Sequence, residues 1–332
     1  MDEPQDRSDD DRSALDDIVS WEPTTTLDRF AVSVHRSLIE GIRVLLVVTA
    51  ASILGVLLVV TGLGAITDPY VFSLVILSVV PALGLAVFIR MADVGVEEPL
   101  SVLTVTFLLG VLFAGFAGIL NAIGFVLLAA VPLLSTVLFY YLVVGPVEEG
   151  IKLLAVRLHA FRHHRFDAVI DGAIYGAAAG LGFATIENAL YITDALDAIG
   201  SPMAVVDAVG ETTAVRALAG PGHVIYSAIA GYYLGLAKFN PRHAGPLVIK
   251  GLTIAATIHA TYNVLVQIVP GVVMALTGIG LLSSLLAFIV VYDGLAAYYL
   301  YRKLSSYRRA YRSARHHDGE VGEPELTEFD PG

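Results

Sequence analysis

The stretch "DGAIYGAAAGLGFATIEN", residues 171–188, joins a stripe of small residues to a polar end. Gly172, Gly176 and Gly180 recur every four residues, so a helix presents them on one face. Inside a membrane such a stripe lets a second helix backbone approach closely. Glu187 follows Gly180 by seven residues, which is about 20° around a helix, so it shares that face. The stretch therefore predicts a tightly packed membrane helix whose packed face ends in a carboxylate.

Two later apolar segments, "HVIYSAIAGYYLG" and "GLTIAATIHATYN", repeat the arrangement of small and polar residues at intervals of four. The residues that share this spacing are His223, Ser227, Gly231 and Gly235 in the first, and Gly251, Ala255, His259 and Asn263 in the second. Three helices with such faces predict a close bundle with polar groups inside it.

A further segment, "GPVEEGIKLLAV", carries two adjacent glutamates and a lysine within an apolar run. If Arg157 marks the cytoplasmic boundary, Glu148 lies nine residues deeper, about 13 Å along a helix and near the middle of a bilayer. This depth favours a span at 137–158, kinked at Pro146. Residues 121–136 are then expected to form a re-entrant or interfacial piece.

Composition agrees with a membrane protein: of 332 residues, 56% are hydrophobic and 15% are charged. The net charge of −11 is concentrated in acidic residues near the two ends of the chain. The chain has no cysteine, which excludes disulfides, thiolate metal sites and a cysteine nucleophile. The N-terminus lacks the features of a signal peptide, so the first span is expected to remain in the mature protein.

Apolar runs and loop charges together predict the topology. The runs lie at about 43–66, 70–89, 101–120, 121–158, 168–191, 219–239, 246–268 and 275–300. Every second connection is basic, whereas "TDPY", "LNAIG", "ITDALDAIGSPMAVVDAVGE" and "IVPGVVMALTG" contain no lysine or arginine. We expect an all-α polytopic membrane protein of about eight transmembrane helices, with both termini in the cytoplasm and a catalytic bundle formed by spans 4–7.

The same pattern divides the chain into four parts. Residues 1–40 form an acidic cytoplasmic arm with one short amphipathic helix, and 41–136 hold the N-terminal spans. Residues 137–304 form a protease-like core with the last span. Residues 305–332 form a cytoplasmic tail that is largely disordered.

Ionisable groups within spans are costly and face a protein interior, so the polar residues of spans 4–7 predict one buried site. The candidate catalytic residues are Glu148, Glu149, Glu187, His223 and His259, supported by Lys152, Asn188, Arg216 and Asn263. Either Glu148 or Glu149 is the expected base that activates water, and a histidine with Asn263 stabilises the oxyanion. Alternatively, His223, His259 and Glu149 hold a divalent metal such as zinc. The HExxH, GxSxG and GxGxD patterns are absent.

Other interpretations remain open from the residues alone. Lys152 can be the i,i+4 partner of Glu148, and Asp293 stands apart from the small-residue stripes. Chains of carboxylates and histidines also mark ion paths, so a transporter or proton-coupled channel is one alternative. A non-catalytic, immunity-like membrane protein on the same scaffold is another.

The motifs "EEGIK" (148–152), "DGAIYGAAAGLGFATIEN" (171–188), "RALAGPGH" (216–223) and "HATYN" (259–263) resemble the PrsW family in order and spacing. These are intramembrane proteases of the CAAX-protease and bacteriocin-immunity superfamily. The resemblance covers about residues 137–265. Lys152 departs from the wider superfamily's Glu-Glu-x-x-x-Arg pattern, which weakens any transfer of prenyl-protein processing.

The resemblance implies an intramembrane endopeptidase that hydrolyses membrane-anchored proteins, as in regulated proteolysis of a signalling or anti-sigma-type factor. It implies that Glu148 and Glu149 are the paired catalytic glutamates, and that Glu187, Asn188, Arg216, His223 and His259 belong to the later motifs. The family is described both as glutamic proteases and as metalloproteases. The expected location is the cell membrane, with the bilayer and a membrane-anchored substrate as partners and no nucleic acid.

Overall fold

The computed structural model describes residues 23–60, 68–93, 98–129, 135–197 and 202–317, and the elements in these ranges are helices and turns without a strand. The helices are α1 Thr26–Val60, α2 Pro69–Arg90, α3 Leu100–Leu128, α4 Ser135–Phe139, α5 Gly145–Leu158, α6 Val169–Asp197, α7 Pro202–Phe239, α8 Ala244–Leu265, α9 Val269–Thr277 and α10 Leu281–His317. This confirms the all-α fold class. Residues 1–49 and 50–332 form two separate compact units.

Local sequence explains where the first helices begin. At α1, Thr25 and Asp28 cap each other: each backbone N–H donates to the other's side-chain oxygen, at 3.1 Å and 2.9 Å. At α2, Asp68 accepts from two backbone N–H groups of the first turn, and Pro69 occupies the first helical position. Unpaired N–H groups at these helix starts are thereby satisfied.

The small-residue stripe of α6 packs directly against the stripe of α7, as the sequence predicts. A Cβ added at Gly172 would overlap the carbonyl oxygen of Gly231, and one at Gly176 would overlap the carbonyl of Ser227. A Cβ added at Gly180 would overlap the carbonyl oxygen of His223. The two backbones are therefore in contact along several turns, and this contact leads to the polar residues at one end.

Apolar helices long enough to cross a membrane support a polytopic protein. By length and hydropathy, five helices in the described ranges qualify, or six if the pair Pro241–Leu265 and Val269–Thr277, bent by 44°, counts as one span. The described segments thus contain fewer qualifying spans than the eight that the loop pattern predicts. The count of eight stays a prediction.

Three predicted connections are helical instead. The "LNAIG" segment lies inside α3, which continues to Leu128, so the expected piece at 121–136 does not begin at 121. The predicted loop after "ATIEN" is occupied by the end of α6 and the start of α7, with Pro202 at the first helical position. The segment "IVPGVVMALTG" contains α9. Pro202 and Pro270 lie in the first turns of α7 and α9, where a proline is tolerated because its missing N–H would be unpaired anyway.

The division of the chain into four parts stays a prediction, but the helices at its two ends are longer than expected. The expected short amphipathic helix of the arm is continuous with the first span in α1, and α10 extends through the start of the expected disordered tail to His317. Residues 1–22 and 318–332 lie outside the described residues.

A π-helical turn precedes the glutamate pair. Residues Tyr140–Val144 form this turn, and the N–H of Gly145 donates to the carbonyl of Tyr140, five residues back. Such turns insert one residue into a helix, and Pro146 favours the break because it lacks an N–H donor. Gly145 packs on the backbone carbonyl of Ala256 in α8. The expected kink near Pro146 therefore takes the form of this turn, which presses the glutamate helix against α8.

A buried carboxyl pair joins the segment before α3 to the start of α6. Asp171 accepts backbone N–H bonds from Asp167 and Ala168, at 2.8 Å and 2.7 Å, and so caps α6. Glu98 is 1% exposed, and among the described residues neither of its carboxylate oxygens has a hydrogen-bond partner. Burial, followed by the neighbouring charge of Asp171, raises the pKa of Glu98 to about 9.

Stability should therefore fall as pH rises across the range set by Glu98. Between the unfolded pKa of about 4.5 and the folded pKa of about 9, the folded protein holds a proton that the unfolded chain has lost. The free energy of unfolding should decrease by up to about 1.4 kcal/mol per pH unit across this range. Glu98→Gln should flatten this slope in thermal unfolding measured in detergent from pH 5 to 9. An unchanged slope in the variant would contradict the assignment.

Candidate active site

Four helices bring the predicted polar residues into one buried cluster. Helix α5 supplies Glu148, Glu149 and Lys152, α6 supplies Glu187, α7 supplies His223 and α8 supplies His259. All except Glu187 are less than 9% exposed. The small-residue stripes end at this cluster, because the carbonyl of His223 itself packs on Gly180. The convergence of these groups, expected from helical spacing, is present in the structure.

Glu149 is the central and most fully bonded carboxylate. It is 0% exposed, and its Oε1 accepts from Lys152 Nζ at 2.7 Å and contacts His259 Nδ1 at 2.9 Å. Its Oε2 accepts from the hydroxyl of Ser227 at 3.2 Å. With both oxygens engaged, Glu149 is suited to hold its neighbours in place.

Glu148 is bonded differently. Its Oε1 accepts from Asn121 Nδ2 at 3.1 Å. Its Oε2 is buried without a hydrogen-bond partner among the described residues. That oxygen lies 3.7 Å from Lys152 Nζ and 3.8 Å from His259 Nε2. Glu148 therefore has a free acceptor directed at a gap that a histidine also borders.

Both ring nitrogens of His223 have partners. Lys152 Nζ lies 2.8 Å from Nδ1, and Glu187 Oε2 lies 2.6 Å from Nε2. An ammonium group can only donate, so Nδ1 accepts and Nε2 carries the proton that faces the carboxylate. Lys152 also lies over the ring of Phe183, 4.3 Å from its centroid. This hydrogen-bond pattern fixes the orientation of the His223 ring.

Arg216 and Asn188 hold the Glu187 carboxylate in place through hydrogen bonds. Arg216 donates to Glu187 Oε2 at 2.6 Å and to Asn188 Oδ1 at 2.8 Å. Asn188 in turn donates to the hydroxyl of Ser78 on α2 at 3.1 Å. The guanidinium of Arg216 lies 4.4 Å from the ring centroid of Tyr191. These contacts explain how Arg216 and Asn188 support the cluster without entering its centre.

One set of ligand atoms fits a metal ion. Atoms from Glu148, His223 and His259 all lie within 4.8 Å of one another. Tetrahedral zinc with bonds of about 2.1 Å separates neighbouring ligand atoms by about 3.4 Å. The 3.8 Å between Glu148 Oε2 and His259 Nε2 is close to that separation. The contact of Glu149 with His259 Nδ1 matches the outer carboxylate that orients a ligating histidine and leaves Nε2 free.

This geometry bears on two expectations about the site. The expected metal set contained Glu149, but Glu148 takes that position, because the oxygens of Glu149 already face Lys152, His259 and Ser227. The expected i,i+4 pair of Lys152 with Glu148 is present at 3.7 Å, and Lys152 also pairs with Glu149 at 2.7 Å. Adjacent residues on a helix point about 100° apart, so the identity of the one that faces the gap depends on the helix's rotation.

Asn263 is not brought into the cluster. Its side chain is half-buried on α8, and within the described residues no hydrogen bond joins that side chain to the charged groups. Four residues beyond His259 it lies a full turn farther along the helix. The expected role of Asn263 in oxyanion stabilisation therefore has no contact to support it.

Two residues outside the predicted set contact the site. Asn121 lies in the segment expected to be a loop, yet it is the one polar side chain between Phe107 and Leu134. A single polar residue within such an apolar run was the feature of the sequence that could have indicated a functional role for Asn121. Asp293 on α10 accepts from the hydroxyl of Tyr226 at 2.5 Å, and the Tyr226 ring lies 5.4 Å from the ring of His259. Asp293 thus reaches the cluster through a tyrosine.

Comparison with known proteins gives this cluster its family. The model of the PrsW family intramembrane metalloproteases matches residues 98–294, more than half of the chain. The chain belongs to the PrsW family. The matched range includes α3, which precedes the four motifs, so the similarity to the family extends beyond those motifs. The suspected resemblance is confirmed.

Individual PrsW proteins agree with the family match. "Protease PrsW" of Halalkalibacterium halodurans is 32% identical over 197 residues, which cover 58% of this chain and 82% of that protein. The protein of the same name from Geobacillus kaustophilus is 31% identical over 194 residues, covering 58% and 79%. That from Clostridioides difficile is 27% identical over 198 residues, covering 59% and 80%. No solved structure gives a significant match.

Membership of PrsW confirms the expected class of activity. The family consists of intramembrane proteases, and the predicted glutamates and histidines cluster in a buried site of the apolar helical bundle. The protein is an intramembrane endopeptidase of the PrsW family. The environment of the enzyme is a membrane and its substrates are proteins.

Proposed function

We propose that the protein cleaves membrane-anchored polypeptides within the bilayer, with Glu148 as the residue that activates water. The observation that carries the proposal is the buried Oε2 of Glu148, which has no hydrogen-bond donor among the described residues and lies 3.7 Å from Lys152 Nζ and 3.8 Å from His259 Nε2. A buried acceptor without a donor destabilises the folded protein, and a water molecule supplies that donor. The gap is therefore suited to a reacting water.

The roles of the other groups follow from their contacts. Glu148 accepts a proton from water as the oxygen attacks the peptide carbonyl carbon, and then delivers that proton to the leaving amine. His259 faces the same gap, and with Nδ1–H on Glu149 it would stabilise the oxyanion as the imidazolium, by donating from a protonated Nε2. Glu149 is a positioning residue, because its three bonds hold Lys152, His259 and Ser227.

A divalent cation such as zinc is compatible with the same residues, and Glu148, His223 and His259 would hold it. When bound, such an ion supplies Lewis acidity that activates water and polarises a carbonyl. For His223 to bind through Nε2, that nitrogen must release its proton and its contact with Glu187. Lys152 must then cease to donate to Nδ1, because a ring that ligates through Nε2 keeps its proton on Nδ1.

The proposed location is the cell membrane, with both termini in the cytoplasm. Basic residues follow the glutamate helix, at Arg157, Arg162 and Arg165, and the connection between α6 and α7 lacks lysine and arginine. This asymmetry supports an orientation in which the arginines lie in the cytoplasm. The proposed substrate class is a single-span protein, such as a signalling or anti-sigma-type factor.

The chelator experiment separates the two chemistries. Purified protein in liposomes is given a panel of single-span polypeptides, with and without a membrane-permeant chelator. If an ion is held by the three converging ligand atoms, the chelator should lower the cleavage rate at least tenfold and one added divalent ion should restore it. Elemental analysis should then find about one ion per chain, and none in a variant with both His223→Ala and His259→Ala. If Glu148 acts on water without an ion, the chelator should leave the rate unchanged.

Full cleavage by a protein that contains no ion on elemental analysis would contradict the metal requirement. The glutamate would then act on water directly. Absence of cleavage of every polypeptide in every buffer would contradict the proposed function itself.

A further inference from the structure

Asn121 presents an unused acceptor beside Glu148. Its Nδ2 donates to Glu148 Oε1 at 3.1 Å, and a carboxylate can only accept, so the amide nitrogen must be the atom that faces it. The amide oxygen Oδ1 is buried and has no hydrogen-bond partner among the described residues. Buried amide oxygens are nearly always bonded, so a donor that arrives with a ligand accounts for this one.

A cavity of about 410 Å³ lies between the end of α3, the start of α4 and the turn after α8. Such a volume is in the range of about 300–1,000 Å³ that is usual for ligand pockets. Its lining combines aromatic rings with side chains that form hydrogen bonds. These residues are Phe125, Phe139, Tyr140, Ser135, Thr136 and Gln267.

One wall of this cavity lies one helical turn from Asn121, although none of the residues that line it belongs to the catalytic cluster. Phe125 in its wall follows Asn121 by four residues, so the two side chains share a face of α3 about 6 Å apart along the helix axis. On the opposite wall, Tyr140 begins the π-turn that leads to Glu148. The cavity, the Asn121 oxygen and the Glu148 carboxylate therefore follow one another along the bundle.

The lining favours a peptide over a lipid chain as occupant. A lipid acyl chain has no donor for the Asn121 oxygen and gains nothing from Ser135, Thr136 or Gln267. A second cavity, of about 350 Å³ between α2, α3 and α6, is walled mainly by apolar groups such as Leu83 and Phe107 and suits an acyl chain. A peptide in extended form offers backbone N–H groups and side chains for the aromatic wall.

We propose that this cavity binds the substrate segment next to the scissile bond, and that Asn121 Oδ1 accepts a backbone N–H of that segment. The inference rests on the proposed function and names its substrate class. Backbone N–H groups within an α-helix are already bonded. The substrates are therefore membrane-anchored polypeptides whose span is broken or extended at this end of the bundle.

Cross-linking tests the location, and the absence of native cysteines makes single-cysteine variants free of background. Thr136→Cys places a thiol in the cavity, and Thr104→Cys places a matched thiol in the apolar cavity. Both are made with Glu148→Gln, so that bound substrate stays intact. The probes are single-span polypeptides with one cysteine moved stepwise along the chain.

We expect disulfides with Thr136→Cys for probe positions on one side of the cleavage site, and at least tenfold fewer with Thr104→Cys. Proline introduced at that end of a probe span should increase cleavage. It interrupts the helix of the probe, so backbone N–H groups there become available to bind Asn121 Oδ1. Equal cross-linking at the two cavities, or none at position 136, would overturn the proposed subsite even if the protein cleaves the probes. Cross-linking at position 136 without cleavage by the unmodified enzyme would instead overturn the proposed function.

Kinetics test Asn121 itself. Asn121→Leu should lower kcat/KM about tenfold, and Asn121→Gln, which keeps the amide, should recover part of that loss. Thr106→Val, which removes another buried polar group from α3, should leave kcat/KM unchanged, because the Thr106 hydroxyl donates to the carbonyl of Val102 within its own helix. An equal loss in the leucine and valine variants would show that α3 packing alone is involved and would overturn the role of Asn121.

Discussion

Glu148→Gln is expected to lower the rate of peptide cleavage by about 10²–10⁴-fold while the protein remains folded. Glutamine keeps the shape of the side chain and the acceptor for Asn121 but cannot take a proton from water. The unpartnered Oε2 beside His259 is the atom whose chemistry changes. Cleavage of a single-span polypeptide, followed at equal protein concentration, gives the rate, and thermal unfolding in detergent reports the fold.

Two other glutamates serve as controls for this substitution. Glu98→Gln removes a second buried carboxyl, far along the chain from the cluster, and should leave cleavage at pH 7 unchanged. Glu149→Gln should reduce both cleavage and stability, because it leaves the buried ammonium of Lys152 without its closest carboxylate. Full cleavage by Glu148→Gln would show that this residue is not the base.

Gly172→Ala is the substitution expected to cost most stability. Its Cβ would overlap the carbonyl oxygen of Gly231, a backbone atom that moves only if α6 and α7 separate. Overpacking of a tight contact costs about 1–3 kcal/mol, and the same two helices also carry Glu187 and His223. We therefore expect a lower midpoint of thermal unfolding together with a loss of cleavage.

The matched control is Gly118→Ala in α3, where an added Cβ meets nothing within 4 Å. It should leave the unfolding midpoint unchanged or raise it slightly, since alanine favours a helix. Gly231→Ala should behave as Gly172→Ala does. The two together should cost less than the sum of the single changes, because one separation of the helices relieves both overlaps. A stable, active Gly172→Ala protein would contradict the close contact of α6 and α7.

The residues that define the bundle could be predicted because their spacing has a direct physical meaning. Small residues four apart must share a helix face, so the packing of Gly172 and Gly176 on α7 follows from the sequence. The same spacing places His223 and His259 at the ends of packed faces. The convergence of these groups with the glutamates is therefore a consequence of local periodicity.

Details that depend on helix rotation and helix length could not be predicted in this way. Which of Glu148 and Glu149 faces the gap depends on the register of α5 against α8, which spacing along one helix does not define. The segment "LNAIG" that contains Asn121 was expected to be one of the connections without lysine or arginine between two apolar runs. In a membrane helix an asparagine is tolerated when a neighbouring helix bonds its amide nitrogen, as Glu148 does here.

The π-turn at Tyr140–Val144 constrains the enzyme's evolution in a particular way. Its side chains are apolar or aromatic, and other residues of similar size can replace them without altering the backbone path. Removal of one residue would restore α-helical bonding and turn everything after it by about 100°, which would direct Glu148 away from His259. The number of residues between Phe139 and Gly145 therefore determines the direction in which Glu148 points.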